Sequence, residues 1–219
     1  MPERLEPTDQ IIDKRSTPLL GGASRLKLAV FGVNENRGLV MSTAQGPPEA
    51  TWAESRELVT EAERLGFDAI IPLSRWLGYG GRHDLGARSF ETFTWAAGLA
   101  AVTERIQVFA TFMVPTVHPV MAAKMVATID HISGGRAGLN VVAGWQEHEI
   151  AMFGSPQREH DERYAVSREW TDLVRRMWTE EEPFDYAGPY FQAPGAFSLP
   201  KPLQRPYPAL MSAGISPAG

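Results

Sequence analysis

Apolar runs and amphipathic helical patterns alternate along this chain. That alternation constrains the fold more than any other feature. Residues 26–33, 67–73, 106–113, 137–142 and 209–212 read as strands. Helices are predicted over about 51–65, 89–103, 119–132 and 162–179. Thr51-Trp-Ala-Glu54 is a capping box, and Leu58, Val59, Ala62 and Leu65 form the stripe behind it, stopped by Gly66. In the second helix Phe90, Phe93, Ala97 and Ala100 share a face. Pro119 suits the first turn of the third. Val166, Trp170, Leu173, Val174 and Met177 make the buried stripe of the fourth. Residues 183–207 carry several prolines and aromatics, with a small hairpin expected around Tyr186-Ala-Gly188. Strand–helix alternation implies parallel βαβ units with right-handed crossovers.

Two architectures satisfy that order, a (β/α)8 barrel and an open doubly wound sheet. A dinucleotide-binding sheet carries G-x-G-x-x-G after its first strand. Here Gly32 is followed by Val-Asn-Glu-Asn, and Gly78-Tyr-Gly80 by Gly-Arg-His83, so neither segment fits. Polar, Gly-rich loops at 34–50 and 74–88 follow the strands' C-terminal ends, where barrel active sites gather. The α/β class is therefore expected as a TIM-barrel type. Only about five strands fit in 219 residues, whereas a closed barrel needs about 250. The expectation is a barrel truncated after about five strands, occupying 26–219 behind a loosely held extension over 1–25.

Composition excludes several function classes. With no cysteine, disulfides, thiol catalysis and zinc–thiolate sites are out. A net charge of −5 argues against nucleic acid as a partner. No uncharged apolar run reaches the length of a membrane span, and the N-terminal residues lack a signal-peptide core. A cytoplasmic location fits. His148 lies between Glu147 and Glu149, with His160-Asp161 nearby. Adjacent helical residues face different ways, so no metal site is expected.

The segment 130–145 carries the functional signal. Gly134-Gly135 turns into an apolar strand that Asn140 interrupts, and Gly144-Trp145 ends it. A buried parallel strand is normally apolar throughout. A buried amide must find partners or cost about 1–3 kcal/mol. Asn140 either ties strand to loop or marks where the interior meets a polar ligand.

These residues carry a resemblance. Ala127-Thr-Ile-Asp-His-Ile-Ser-Gly-Gly-Arg136, Asn140 with Gly144-Trp145, His160-Asp-Glu-Arg-Tyr164 and Leu99-Ala-Ala-Val-Thr-Glu-Arg-Ile106 together resemble the bacterial-luciferase-like flavin-dependent monooxygenases. Within them the chain looks most like the group of pyrimidine oxygenase, dimethylsulfone monooxygenase and alkanesulfonate monooxygenase. The resemblance implies a (β/α)8 barrel that uses O2 and reduced FMN, with a separate NAD(P)H flavin reductase supplying the flavin. It implies an oxygenase component acting on a small organic substrate, in a homo-oligomer. A deazaflavin-dependent oxidoreductase of the same fold, or a non-catalytic flavin-binding remnant, are the alternatives.

By the same resemblance Ser74, Arg75 and Glu149 lie beside the flavin, and Asn140 at the edge of its ring. Arg163, Tyr164 and Ser216 serve its ribityl phosphate, for which a guanidinium fork and a Gly-rich turn are suited. His160, Trp145 and Thr111 are the catalytic candidates, as a proton-tuning group, a pocket wall and a hydrogen-bond donor. Each has a plainer reading. Arg75 fits a surface ion pair, Glu149 a solvated helix position, and Arg163-Tyr164 and His160 an ordinary helix N-terminus. Trp145 fits the core, and Thr111 a packed strand residue.

Overall fold

The computed structural model describes residues 11–21, 24–40, 48–82, 84–214 and 216. Five parallel strands form the central sheet. They are β1 (Ala29–Phe31), β2 (Ala69–Ile71), β3 (Gln107–Met113), β4 (Ala137–Val142) and β5 (Ala209–Ser212), paired in chain order. Between them lie α1 (Trp52–Arg64), α2 (Thr92–Val102), α3 (Pro119–Ile132), α4 (Glu147–Met152) and α5 (His160–Thr179). Sequential parallel pairing with a helix at each crossover is the β/α-barrel arrangement, not that of a doubly wound sheet.

Local chemistry sets the helix starts. Thr51 Oγ1 accepts the Glu54 amide, and the Glu54 carboxylate accepts the Thr51 amide at 3.0 Å, completing the capping box. Glu91 caps α2 by accepting the Phe93 and Thr94 amides. Pro119 opens α3, with the His118 ring accepting the Val120 amide. The predicted hairpin forms from Phe184–Ala187 and Gln192–Ala196.

The sheet's two faces divide the core. Ile70, Val108, Ala110, Leu139 and Val141 pack against the helices. The opposite face carries Ala69, Ile71, Phe109 and Ala209, covered by Leu19. Phe109 pairs with Gly138, where a Cβ would sit 2.6 Å from the phenyl ring, so only glycine fits. Two residues further along the same face, Thr111 pairs with Asn140.

The N-terminal lead departs from expectation. Residues 11–21 are not loosely held. Ile12–Asp13 forms a parallel pair with Gln204–Arg205, Thr17 is buried, and the Leu19 amide donates to Gln107. Ile12 seats against Gly135, where a side chain would collide with it. Neither residue pattern alone shows a strand two residues long, because the pairing is supplied from the far end of the chain.

The N-terminal ends of the strands are clamped by two buried polar side chains, Arg136 and Asp130, and a half-buried one, Glu63. Arg136 donates to the carbonyls of Ala100, Thr103, Ile106 and Ser133 and to the Thr103 hydroxyl. Glu63 accepts three successive amides, those of residues 104–106. Asp130 accepts from Ala137 and from the amide and side chain of Gln204. Among the described residues no helix is long and apolar enough to cross a membrane.

Candidate active site

At the C-terminal ends of the strands, the loops after β1, β2 and β4 converge. Asn140 is 2% exposed. Its amide donates to Thr111 Oγ1 at 3.2 Å, and its carbonyl oxygen Oδ1 has no partner. The Thr111 hydroxyl gives its proton to the Pro72 carbonyl. It therefore accepts from Asn140 and, in this arrangement, has no proton left for a ligand.

Arg75 leaves the end of β2 and is buried. One guanidinium nitrogen lies 3.7 Å from Glu149 Oε1, and another donates to the Tyr79 hydroxyl at 2.6 Å. The guanidinium sits 4.4 Å from the Tyr79 ring centroid and 5.4 Å from that of Trp145, cation–π distances for both. This is a buried pair, not a surface one. Ser74 is half-buried beside it.

Glu149 is fully buried on α4, a short helix that the residue pattern does not announce. Its Oε1 accepts the amides of Trp76 and Leu77 at 2.9 Å each, so it ties the β2 loop to α4. The expectation of a solvated helix position fails because those amides and Arg75 compensate the buried charge. Oε2 is unpartnered. Trp145 is 53% exposed and stacks on Tyr79, so it is no core aromatic. Trp76 and Phe153 meet edge-on nearby, completing an aromatic rim.

Arg163, in the first turn of α5, donates to the Gly144 carbonyl at 2.6 Å and keeps a buried, unpartnered Nε. Tyr164 opens onto a cleft of about 460 Å³ between α5 and the ends of β4 and β5, with Arg168 and Ser212 also on its wall. Ser216 lies four residues beyond the end of β5. His160 lies at the exposed start of α5, bonded to Asp161 and packed on the Tyr164 ring at 5.0 Å. The structure thus joins Arg75, Trp145 and Glu149 in one contact cluster, Asn140 with Thr111 in another, and His160 with Tyr164 in a third. A separate cleft of about 300 Å³ beside His118, Phe153 and Arg158 is lined by none of the expected site residues.

Two cluster members carry no signal in the sequence. Tyr79 is one aromatic in a Gly-rich loop. Glu35 is a charged residue in a polar loop, yet it is fully buried with both carboxyl oxygens unpartnered. Burial pushes its carboxyl up to about 7; Arg75 pulls it down and Glu149 pushes it further up. Only the asparagines on either side hint at a fixed backbone there.

Residues 26–219 match the model of the family described as luciferase-like monooxygenase. The chain belongs to the luciferase-like monooxygenase family. Among luciferase-like relatives, a pyrimidine monooxygenase RutA of Bradyrhizobium sp. strain BTAi1 is 36% identical over 196 residues, covering 89% of this chain and 54% of the relative. An FMNH2-dependent dimethylsulfone monooxygenase of Pseudomonas putida is 35% identical over 194 residues, covering 88% and 52%. The chain spans about half the length of the curated relatives it matches. A crystal structure of riboflavin lyase (RcaE), with modified FMN and riboflavin, superposes with a TM-score of 0.78 at 23% identity, covering 89% of this chain and 51% of that one. That likeness shows the shared fold.

Proposed function

We propose that this chain is the flavin-binding part of an FMNH2- and O2-dependent monooxygenase that oxidises a small organic molecule. In this reading it is the oxygenase component of a cytoplasmic, homo-oligomeric two-component system, supplied with reduced FMN by a separate NAD(P)H flavin reductase. Residues 26–219 are its partial barrel domain. The carrying observation is the Asn140–Thr111 pair. A buried amide oxygen without a partner sits on the helix-free face of a parallel sheet, at its C-terminal end. Left empty of a donor, such an acceptor costs about 1–3 kcal/mol.

The residues present fit a flavin. Asn140 Oδ1 is an acceptor suited to a ring N–H. The Arg75–Tyr79–Trp145 stack and Ser74 offer a flat wall carrying a positive charge. Arg163, anchored on Gly144 through one nitrogen, keeps an open donor for phosphate, with Tyr164 and Ser216 beside that route. Reduced FMN, when bound, supplies the electrons that activate O2 for transfer of one oxygen atom to the substrate. The protein's part is to orient the ring, hold charge beside it and exclude water. Glu149 fixes the 76–77 backbone, and Trp145 closes one side of the site. Thr111 orients Asn140, so its part in catalysis is indirect. His160 serves the proton balance from the outer rim.

Binding of oxidised FMN, followed by flavin fluorescence, tests the site. Oxygenated product from reduced FMN, O2 and a panel of sulfones, sulfonates and pyrimidine-type ring amides tests the activity. Tighter binding of a deazaflavin than of FMN would replace the cofactor in this reading. Flavin binding without turnover on any of these classes would favour the non-catalytic alternative.

A further inference from the structure

One buried acid beside the candidate site has no role in flavin binding as assigned above. Glu35 follows β1, and its backbone is fixed on both sides. Asn34 donates to the Leu73 and Phe90 carbonyls and accepts the Leu73 amide at 2.8 Å. Asn36 donates to the Asp84 carbonyl and accepts the Arg88 amide at 3.0 Å. Glu35 itself bridges Ser89 in antiparallel fashion. The carboxyl is thereby held against Gly86, where a Cβ would lie 3.0 Å from Glu35 Oε2 and 3.1 Å from Arg75 Cγ. Gly86 lets the acid and the arginine stem pack against the same point.

Arg75 thus has one carboxyl, Glu149, at its guanidinium and a second, Glu35, packed beside its stem, all three out of water. Arg75 and Glu149 are the charged groups acting on Glu35. Glu149 does not depend on Arg75 for its position, because two backbone amides hold its Oε1. At 3.7 Å its contact with Arg75 is an ion pair beyond hydrogen-bond range, and Arg75 Nε has no partner. Glu149 is pinned by its two amides, whereas the Arg75 guanidinium makes one side-chain hydrogen bond, to Tyr79, and keeps an unsatisfied donor, so it is the member with contacts left to make. With both carboxyls ionised the cluster would carry a net negative charge away from solvent, which burial disfavours.

We propose that Glu35 is a positioning residue for Arg75: it holds a proton in the resting site, and on ionising it draws the guanidinium off Glu149 and out of the Tyr79–Trp145 stack. The inference rests on the flavin reading only for what Arg75 does to a ligand. The position of Arg75 is measurable without one.

The sign of the pH effect follows from the raised carboxyl. A carboxyl whose folded pKa lies above its ordinary value contributes stability that is fully present below the ordinary value, 4.5, and is lost as pH rises from there through the folded value, about 7. Glu35→Gln mimics the protonated acid at every pH. Its melting temperature should match the wild type at pH 4 and exceed it by about 5 °C at pH 8.5. In the ligand-free wild type, the Arg75 Nε–Hε NMR signal, assigned through Arg75→Lys, should shift with a midpoint near pH 7. In Glu35→Gln that shift should vanish. A wild-type signal that does not titrate between pH 5.5 and 8.5 overturns the proposal, whether or not the variant folds. So does a titration that persists unchanged in Glu35→Gln, or identical melting profiles for the two proteins. Failure of the protein to bind FMN at any pH would count against the flavin reading and leave these three measurements untouched.

Discussion

The two ends of the sheet treat buried polar groups in opposite ways. At the N-terminal end, Arg136, Asp130 and the half-buried Glu63 use their donors and acceptors on backbone groups from several elements. Of the groups in those three clamps, only Gln204 Oε1 is buried without a partner. At the C-terminal end, Glu35, Arg75, Asn140, Glu149 and Arg163 all keep at least one buried polar atom unpaired. Unmatched buried polar atoms each cost free energy, and native structures concentrate them where a ligand or a reaction uses them. One end of this molecule uses its polar groups on the backbone, and the other keeps donors and acceptors unpaired.

The sharpest way to break that contrast is Arg136→Ala. It strands four carbonyls and should cost about 3 kcal/mol or more of stability, read from the urea midpoint. A loss under about 1 kcal/mol would show that the N-terminal clamp is ornamental. Asn140→Ala should do the reverse. Its one hydrogen bond to Thr111 makes the stability change small, while FMN affinity should fall about tenfold, equivalent to about 1.4 kcal/mol. Unchanged flavin affinity would remove Asn140 from the site. Thr51→Ala, outside both sets of polar groups, should cost about 1 kcal/mol through loss of the α1 cap, and so calibrates an ordinary structural substitution. Smallest is Trp145→Ala. With the ring half in solvent, stability should move by less than about 0.5 kcal/mol, and a larger loss would place Trp145 with the structural groups after all.

Much of the scaffold was readable in the sequence because its signals are local. The period of apolar residues marks 137–142 and 209–212 with the bounds the strands take, and the Thr51–Glu54 spacing places the start of α1. Pro119 does the same for α3. The expected ends of other elements run a few residues long: 26–33 narrows to Ala29–Phe31, and 89–103 to Thr92–Val102. From the residue pattern alone the candidate site was legible only where a residue breaks that pattern, as Asn140 does; Arg75, Glu149 and Arg163 came from the family resemblance. Glu149 and Glu35 break none. A glutamate in a polar stretch looks solvated, and only the amides of Trp76 and Leu77, or the stapling of residues 34–36 to 84–90, put it inside. Trp145 fails the other way. A tryptophan after an apolar strand looks like core, yet Tyr79 and Arg75 support it from one side and leave the other open.

The pairing of Ile12–Asp13 with Gln204–Arg205 has a consequence for how the chain acquires its shape. The partners are separated by roughly 190 residues, so closing that loop carries nearly the largest entropic penalty available to this polypeptide. The neighbouring strand–helix units form over much shorter spans. The ladder at the two extremities should therefore assemble last, fastening a sheet that has already organised itself.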